Sequence, residues 1–120
     1  MSDSTLDPVD RWDRILQLLA AEPRRQLVIS LTDADEDDWL SLPETAMSSK
    51  YWDQKHVVDT KLVHCHLPAL SEPDYVDWRK QPFAVRRGPN FEEIGSVMRG
   101  LLQTADDYPS ELVDNYPLVE

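Results

Sequence analysis

Trp12, Ile15, Leu16 and Leu19 recur at helical spacing, with Asp7 placed to cap and Pro8 at the first helical position, so a helix is predicted from Pro8. Residues 1–7 ahead of it are polar and acidic and read as a disordered N-terminus. Glu22-Pro23 interrupts this helix, because the residue before a proline avoids the helical region. A second helix opens at Pro23-Arg24-Arg25 and carries Leu27, Val28 and Leu31 on one face. The run from Thr32 to Asp38 is an acidic loop that lacks the glycine and the terminal glutamate of a calcium loop, so it reads as a solvated connection.

Trp39 to Met47 is expected to form a short helix whose start Pro43 restricts, and Ser48 to His56 an irregular connector. Asp59 or Thr60 can cap a further helix with Val63, Leu67 and Leu70 on its inner side. Pro68 removes the bond to the His64 carbonyl and is expected to kink or restart that helix. Tyr75–Trp78 and Phe83–Arg86 alternate as two strands around Gln81-Pro82, and Gly88-Pro89 ends the hairpin. Asn90 with Glu93 resembles a capping box, and Phe91, Ile94, Met98, Leu101 and Leu102 form an apolar stripe on the helix that follows. The fold class is therefore mainly α with a small β-hairpin. Its element order is that of a winged helix-turn-helix domain over 8–88, plus a C-terminal helix over 89–105. The acidic, proline-punctuated tail over 106–120 is expected to be weakly ordered.

Composition narrows the setting. A chain of 120 residues, 41% hydrophobic, fits one domain with a modest core. Its single cysteine, Cys65, cannot form a disulfide within the chain, so a reducing compartment is the default. The polar N-terminus fits no signal peptide, and no apolar run approaches the roughly 18 residues that cross a bilayer. A cytoplasmic protein with no membrane partner is expected. The net charge is −11, with 15 Asp against 8 Glu and 8 Arg against 4 Lys. An Asp-rich, Lys-poor surface suits a high-salt cytoplasm, where repulsion is screened within about 3 Å at 1 M salt. The other reading is an ordinary acidic protein that binds a basic partner. Yet Lys50 to Arg87 holds seven cations against five acids and all three histidines, so a polyanion would be met there.

Two segments carry a family resemblance. Leu19-Ala20-Ala21-Glu22-Pro23-Arg24-Arg25-Gln26-Leu27-Val28 resembles the opening of arsenic-repressor-like (ArsR-like) winged helices. Val63-His64-Cys65-His66-Leu67-Pro68-Ala69-Leu70, followed by Tyr75-Val76, resembles their recognition helix and wing, in the H-x-H-L-P-x-L form of a haloarchaeal branch. The likeness spans about residues 12–87. Where the family carries Ala-Gly before the wing strand, this chain has Pro73-Asp74. The resemblance implies a DNA-binding transcriptional regulator with duplex DNA as partner. It places Thr60, Lys61, His64, Cys65 and Pro68 toward the major groove, and Arg79, Lys80, Arg86 and Arg87 along the phosphates.

The remaining chemistry is thin. His64 and His66 point about 200° apart on a helix, so they cannot share an ion, and no metal site or cofactor is expected. Adjacent Cys and His diverge likewise, and no Gly-rich phosphate loop exists, so no enzyme is expected. Arg24-Arg25 are read as structural, bonding nearby carbonyls or acids. Trp39, Trp52 and Trp78 are read as packing residues rather than base-stacking ones. The stripe Phe91, Ile94, Met98, Leu101 and Leu102 either folds back on the domain or pairs with its copy in a second chain. The homodimer contact is preferred, because two-fold operators follow from two-fold proteins. A winged helix that binds protein instead of DNA is the alternative, motivated by the charge and by Pro68.

Overall fold

Asp7 caps the first helix, its Oδ1 accepting from the Asp10 N–H at 2.9 Å, and α1 runs Pro8–Leu18. In this computed structural model, which describes residues 6–47 and 53–114, only part of the apolar pattern of α1 turns inward. Ile15, Leu18 and Leu19 are buried, while Val9, Trp12 and Leu16 are 67%, 52% and 56% exposed. The second helix, α2, spans Glu22–Asp33 and buries Leu27, Val28 and Leu31 completely, with α5 (Phe91–Gln103) as its main partner. Each such leucine removed from water contributes about 1.5–3 kcal/mol.

Arg24 and Arg25 close the junction between these helices. No basic residue stands in the last turn of α1. Arg24 reaches back with Nε to the Leu18 carbonyl at 2.7 Å and with Nη2 to that of Gln17 at 3.4 Å, and Arg25 Nη1 donates to Leu19 at 3.0 Å. Carbonyls at a helix end lack partners along the chain, and a cation there also suits the helix dipole.

The short helix expected over Trp39 to Met47 is replaced by a strand, β1 (Leu40–Ser41), and a 3-10 turn at Glu44–Ala46. Pro43 keeps Leu42 out of the helical region. Leu42 instead donates its N–H to the Phe83 carbonyl at 3.0 Å. The hairpin forms as expected from β2 (Val76–Lys80) and β3 (Phe83–Arg87), and the antiparallel sheet order is β1-β3-β2. Trp78 pairs with Val85, Asp77 with Arg86, and Ser41 with Ala84. Because side chains alternate, Val76 and Val85 face the core with Trp78, and Asp77, Arg79, Ala84 and Arg86 share the outer face.

Between β1 and the hairpin runs one helical rod. α3 (Lys55–Lys61) starts ahead of Asp59, not at it, and passes into a π-helical segment, Leu62–His66, then α4 (Leu67–Ser71). Pro68 stands in the first turn of α4, where the α pattern resumes after the π segment. The N–H of Leu67 bonds to the Leu62 carbonyl, five residues back, so a wider turn sits where the proline ring would meet the His64 carbonyl. The inserted residue shifts the inner face, which is Leu62, His66, Leu67 and Leu70, while Val63 is only half-buried.

The rod ends in a Schellman turn. Tyr75 N–H bonds to the Leu70 carbonyl at 3.1 Å and Asp74 N–H to that of Ser71 at 2.9 Å, with Asp74 at φ 63°. Asp74 therefore holds the left-handed conformation that favours glycine. Gly88 crosses this point so closely that a Cβ there would lie 2.5 Å from the Asp74 carbonyl oxygen.

α5 folds back onto its own domain. Phe91, Ile94 and Met98 are buried in the common core, and Leu101 and Leu102 are half-buried against it. The capping box does not form: Asn90 Nδ2 donates to the Pro73 carbonyl at 3.3 Å, and the Glu93 carboxylate is engaged elsewhere. After α5 come a 3-10 turn, Ala105–Asp107, and α6 (Ser110–Asp114), where a weakly ordered tail was expected. Residues 1–5, 48–52 with Lys50 and Trp52 of the connector, and 115–120 of the tail lie outside the described residues.

Candidate nucleic-acid interface

Thr60, Lys61, His64, Cys65 and Pro68 all lie exposed along one side of the rod. The Thr60 hydroxyl donates back to the His56 carbonyl at 3.1 Å, which leaves its lone pairs facing out. No acidic residue stands between Thr60 and Pro68, and exposed Glu72 follows one turn beyond Pro68. His66 takes the opposite direction and is 8% exposed. Its Nδ1 lies 3.1 Å from Arg24 Nη1, and since a guanidinium can only donate, Nδ1 accepts and the ring proton sits on Nε2. Burial first, then the charges of Arg24 and Lys61, push the His66 pKa down, so the ring is neutral. His66 is thus the acceptor for the arginine that caps α1. Among the described residues no group of three or more His, Cys, Asp or Glu could hold a metal ion.

The wing cations separate into two kinds. Lys80 and Arg79 are exposed, and Arg79 Nε donates to the Pro82 carbonyl at 3.2 Å. The Arg79 guanidinium lies 4.2 Å from the ring centroid of Trp39, and that of Arg86 lies 4.6 Å from the same centroid. Trp39 is therefore a shelf for two arginines. Arg86 also stands 3.6 Å from Asp77, its cross-strand partner.

Arg87 is not among the free cations. Its Nε donates to the Leu31 carbonyl at 2.9 Å, and its Nη2 to those of Ala34 at 2.8 Å and Thr32 at 3.2 Å. Its side chain is 17% exposed and lies over the Phe91 ring. It caps α2, whose last turn has no basic residue, so the expected phosphate contact is corrected to a structural one. Alternation held the signal: Arg87 follows Val85 by two residues and so points inward with it.

Three residues of the dimer stripe are corrected in the same way, while Leu101 and Leu102 are only half-buried. Phe91, Ile94 and Met98 are at most 2% exposed within one chain, so they cannot also form a contact with a second copy. A polar cluster that sequence reasoning missed joins α1 and α5 through Tyr75, the residue before β2. Glu93 accepts from Arg11 at 2.8 Å, from Arg14 at 3.3 Å and from the Tyr75 hydroxyl at 2.6 Å. Burial opposes the Glu93 charge, but the bonds from Arg11 and Tyr75 outweigh it and hold the carboxyl below the usual range. Burial and the bond to that carboxylate push the Tyr75 phenol up to about 12. Arg11 and Arg14, one turn apart on α1, were the only local sign of it.

The fold and this surface define a mainly helical domain with a small three-stranded antiparallel sheet. No family model, curated protein or solved structure matches the chain. Among the described residues no helix is long and apolar enough to cross a membrane.

Proposed function

We propose that the chain is a winged helix-turn-helix regulator, suited to a high-salt cytoplasm, that binds duplex DNA with the α3 rod in the major groove. The observation that carries this reading is the stretch from Thr60 to Pro68, which holds no acid and exposes Thr60, Lys61, His64 and Cys65, in a molecule of net charge −11. The hairpin β2-β3 that follows the rod, with β1 added on its β3 edge, supports it, since a wing next to the inserted helix can reach the flanking phosphates. In this reading Lys61, Lys80, Arg79 and Arg86 meet phosphates or base edges, and Arg87 does not. The homodimer belongs to the proposal, with its apolar contact taken from Val9, Trp12 and Leu16 of α1, spaced as one helix face and exposed. Sedimentation at near-molar KCl should give a dimer that Trp12→Glu converts to monomer.

Fluorescence anisotropy with labelled genomic fragments, from 0.1 M to near-molar KCl, tests the function. Lys61→Ala should weaken binding by about 1–3 kcal/mol if it reads a base edge, or lower the salt slope by about 0.9 if it holds one phosphate. Absence of wild-type binding at every salt concentration refutes the reading. A winged helix serving as a protein-interaction module is the second reading. It is favoured by the exposed α1 face and by the Arg86–Asp77 pairing, which leaves one wing cation partly neutralised.

A further inference from the structure

Arg79 and Arg86 stand on different strands, yet one indole holds both guanidiniums. The register explains how this comes about. Ser41 pairs with Ala84 on the outer face, and Trp39, two residues before Ser41, returns to that same face beside the arginines of β2 and β3. Two groups at 4.2 and 4.6 Å from one centroid cannot be further apart than the total of those distances. They can therefore reach one phosphate together, or neighbours on a strand whose charges repeat about every 3.4 Å of axis.

An arginine on an open surface loses rotamer freedom when it grips an anion, and a planar guanidinium already stacked loses less. Arg79 is fixed further by its bond to Pro82, and its two Nη groups have no hydrogen-bond partner among the described residues. The exposed acids Asp35, Glu36, Asp37 and Asp38 precede Trp39 directly and oppose any diffuse attraction of anions. Binding here must come from directed hydrogen bonds. An indole with two guanidiniums over it presents them, not its own ring, to a ligand.

We propose that Trp39 is the positioning residue of a paired guanidinium site on the outer face of the wing, and that the site takes a phosphate or phosphodiester oxyanion. The site rests on the DNA reading only for what carries that anion. The test follows the arginine Nε–Hε resonances of the full chain during titration with inorganic pyrophosphate and, separately, anisotropy of a short labelled duplex. Pyrophosphate should shift Arg79 and Arg86 together. Trp39→Ala, which leaves net charge unchanged, should bind it about fivefold more weakly, while Trp39→Phe should retain part of the stacking and of the affinity.

With the duplex, Trp39→Ala should weaken binding in the wild-type background and add nothing to Arg79→Ala/Arg86→Ala. A merely structural role predicts the opposite pattern: a lower melting temperature, unchanged affinity of the folded protein, and an effect that persists in the double variant. Either unchanged pyrophosphate affinity in Trp39→Ala or silent Arg79 and Arg86 resonances overturns the site. If the pair responds to pyrophosphate but no duplex binds, the site stands and the DNA reading falls. If the duplex binds through Lys61 with the pair silent, the DNA reading stands and the site falls.

Discussion

Replacing Arg87 with alanine removes three hydrogen bonds at once from the end of α2, to Leu31 at 2.9 Å, Thr32 at 3.2 Å and Ala34 at 2.8 Å. A hydrogen bond to a charged donor is worth about 1.5–3 kcal/mol net. The three share one guanidinium, and the Thr32 and Ala34 acceptors belong to half-buried residues, so they do not add in full. A loss of about 2–3 kcal/mol is expected, which for a domain of this size lowers Tm by roughly 8–15 °C. Urea unfolding followed by far-UV circular dichroism, in one fixed KCl concentration, measures it. Arg87→Lys keeps the charge but offers a single ammonium that cannot span three carbonyls, so it should recover less than half of the loss. Duplex affinity of either variant, measured where it is folded, should match wild type. The capping assignment is refuted if Arg87→Ala unfolds within about 0.5 kcal/mol of wild type while duplex binding weakens, or if lysine restores everything.

Three further outcomes are expected. His66 is held neutral when folded, with its pKa pushed below the ordinary 6.5, so the unfolded chain binds the proton more readily. Its contribution is fully present above pH 6.5 and is lost as pH falls below that value; urea midpoints measured from pH 7.5 to 5 should show this slope, and His66→Gln should flatten it. Glu93→Gln leaves two arginines facing a neutral amide in a half-buried site and should cost about 2–3 kcal/mol of unfolding free energy, with Tyr75→Phe costing about 1. Because the Glu93 pKa is lowered, its contribution holds above about pH 4.5 and disappears on acidification below it. Gly88→Ala drives a Cβ into backbone atoms at 2.5, 2.8 and 2.9 Å and should cost about 3 kcal/mol or more, whereas Asp74→Gly relieves a left-handed residue and should raise stability by up to about 1 kcal/mol; parallel thermal melts separate the two.

What was legible in the sequence was local. Asp7-Pro8 marks the start of α1, Leu27, Val28 and Leu31 mark the inner face of α2, and the alternation around Gln81-Pro82 marks the hairpin, because each signal and its partner lie within a turn or two. The illegible features join residues distant along the chain. Arg87 meets Leu31 across 56 residues, and Arg11 meets Glu93 across 82. Arginine on a hairpin looks the same in sequence whether it faces a phosphate or a helix end. Only the fold decides, and it took Arg87 from the candidate surface while gathering Arg79 and Arg86 onto Trp39. The apolar stripe of α5 was legible as a stripe, but nothing local says whether its cover is α2 or a second copy.

The π turn ties the two halves of this picture together. Counting back from Leu67 in a regular α-helix brings Val63 and Thr60 to the inner side, since seven residues make close to two turns. A rod with Val63 in the core and Thr60 in a groove is therefore inconsistent with plain α geometry. The extra residue lodged between Leu62 and His66 turns the preceding part by about 100°. It brings Leu62 and Val58 against the core and sends Thr60 and Lys61 outward together with His64 and Cys65. Leu62 is wholly buried, so reverting to α phase would exchange it for Val63 and draw Thr60 inward, leaving a hydroxyl to be satisfied there. The turn is thus held from both ends, by the packing of Leu62 below it and by the ring of Pro68 above. Pro68, which in sequence looked like an interruption of the helix, sits beside the geometry that exposes Thr60, Lys61, His64 and Cys65 together.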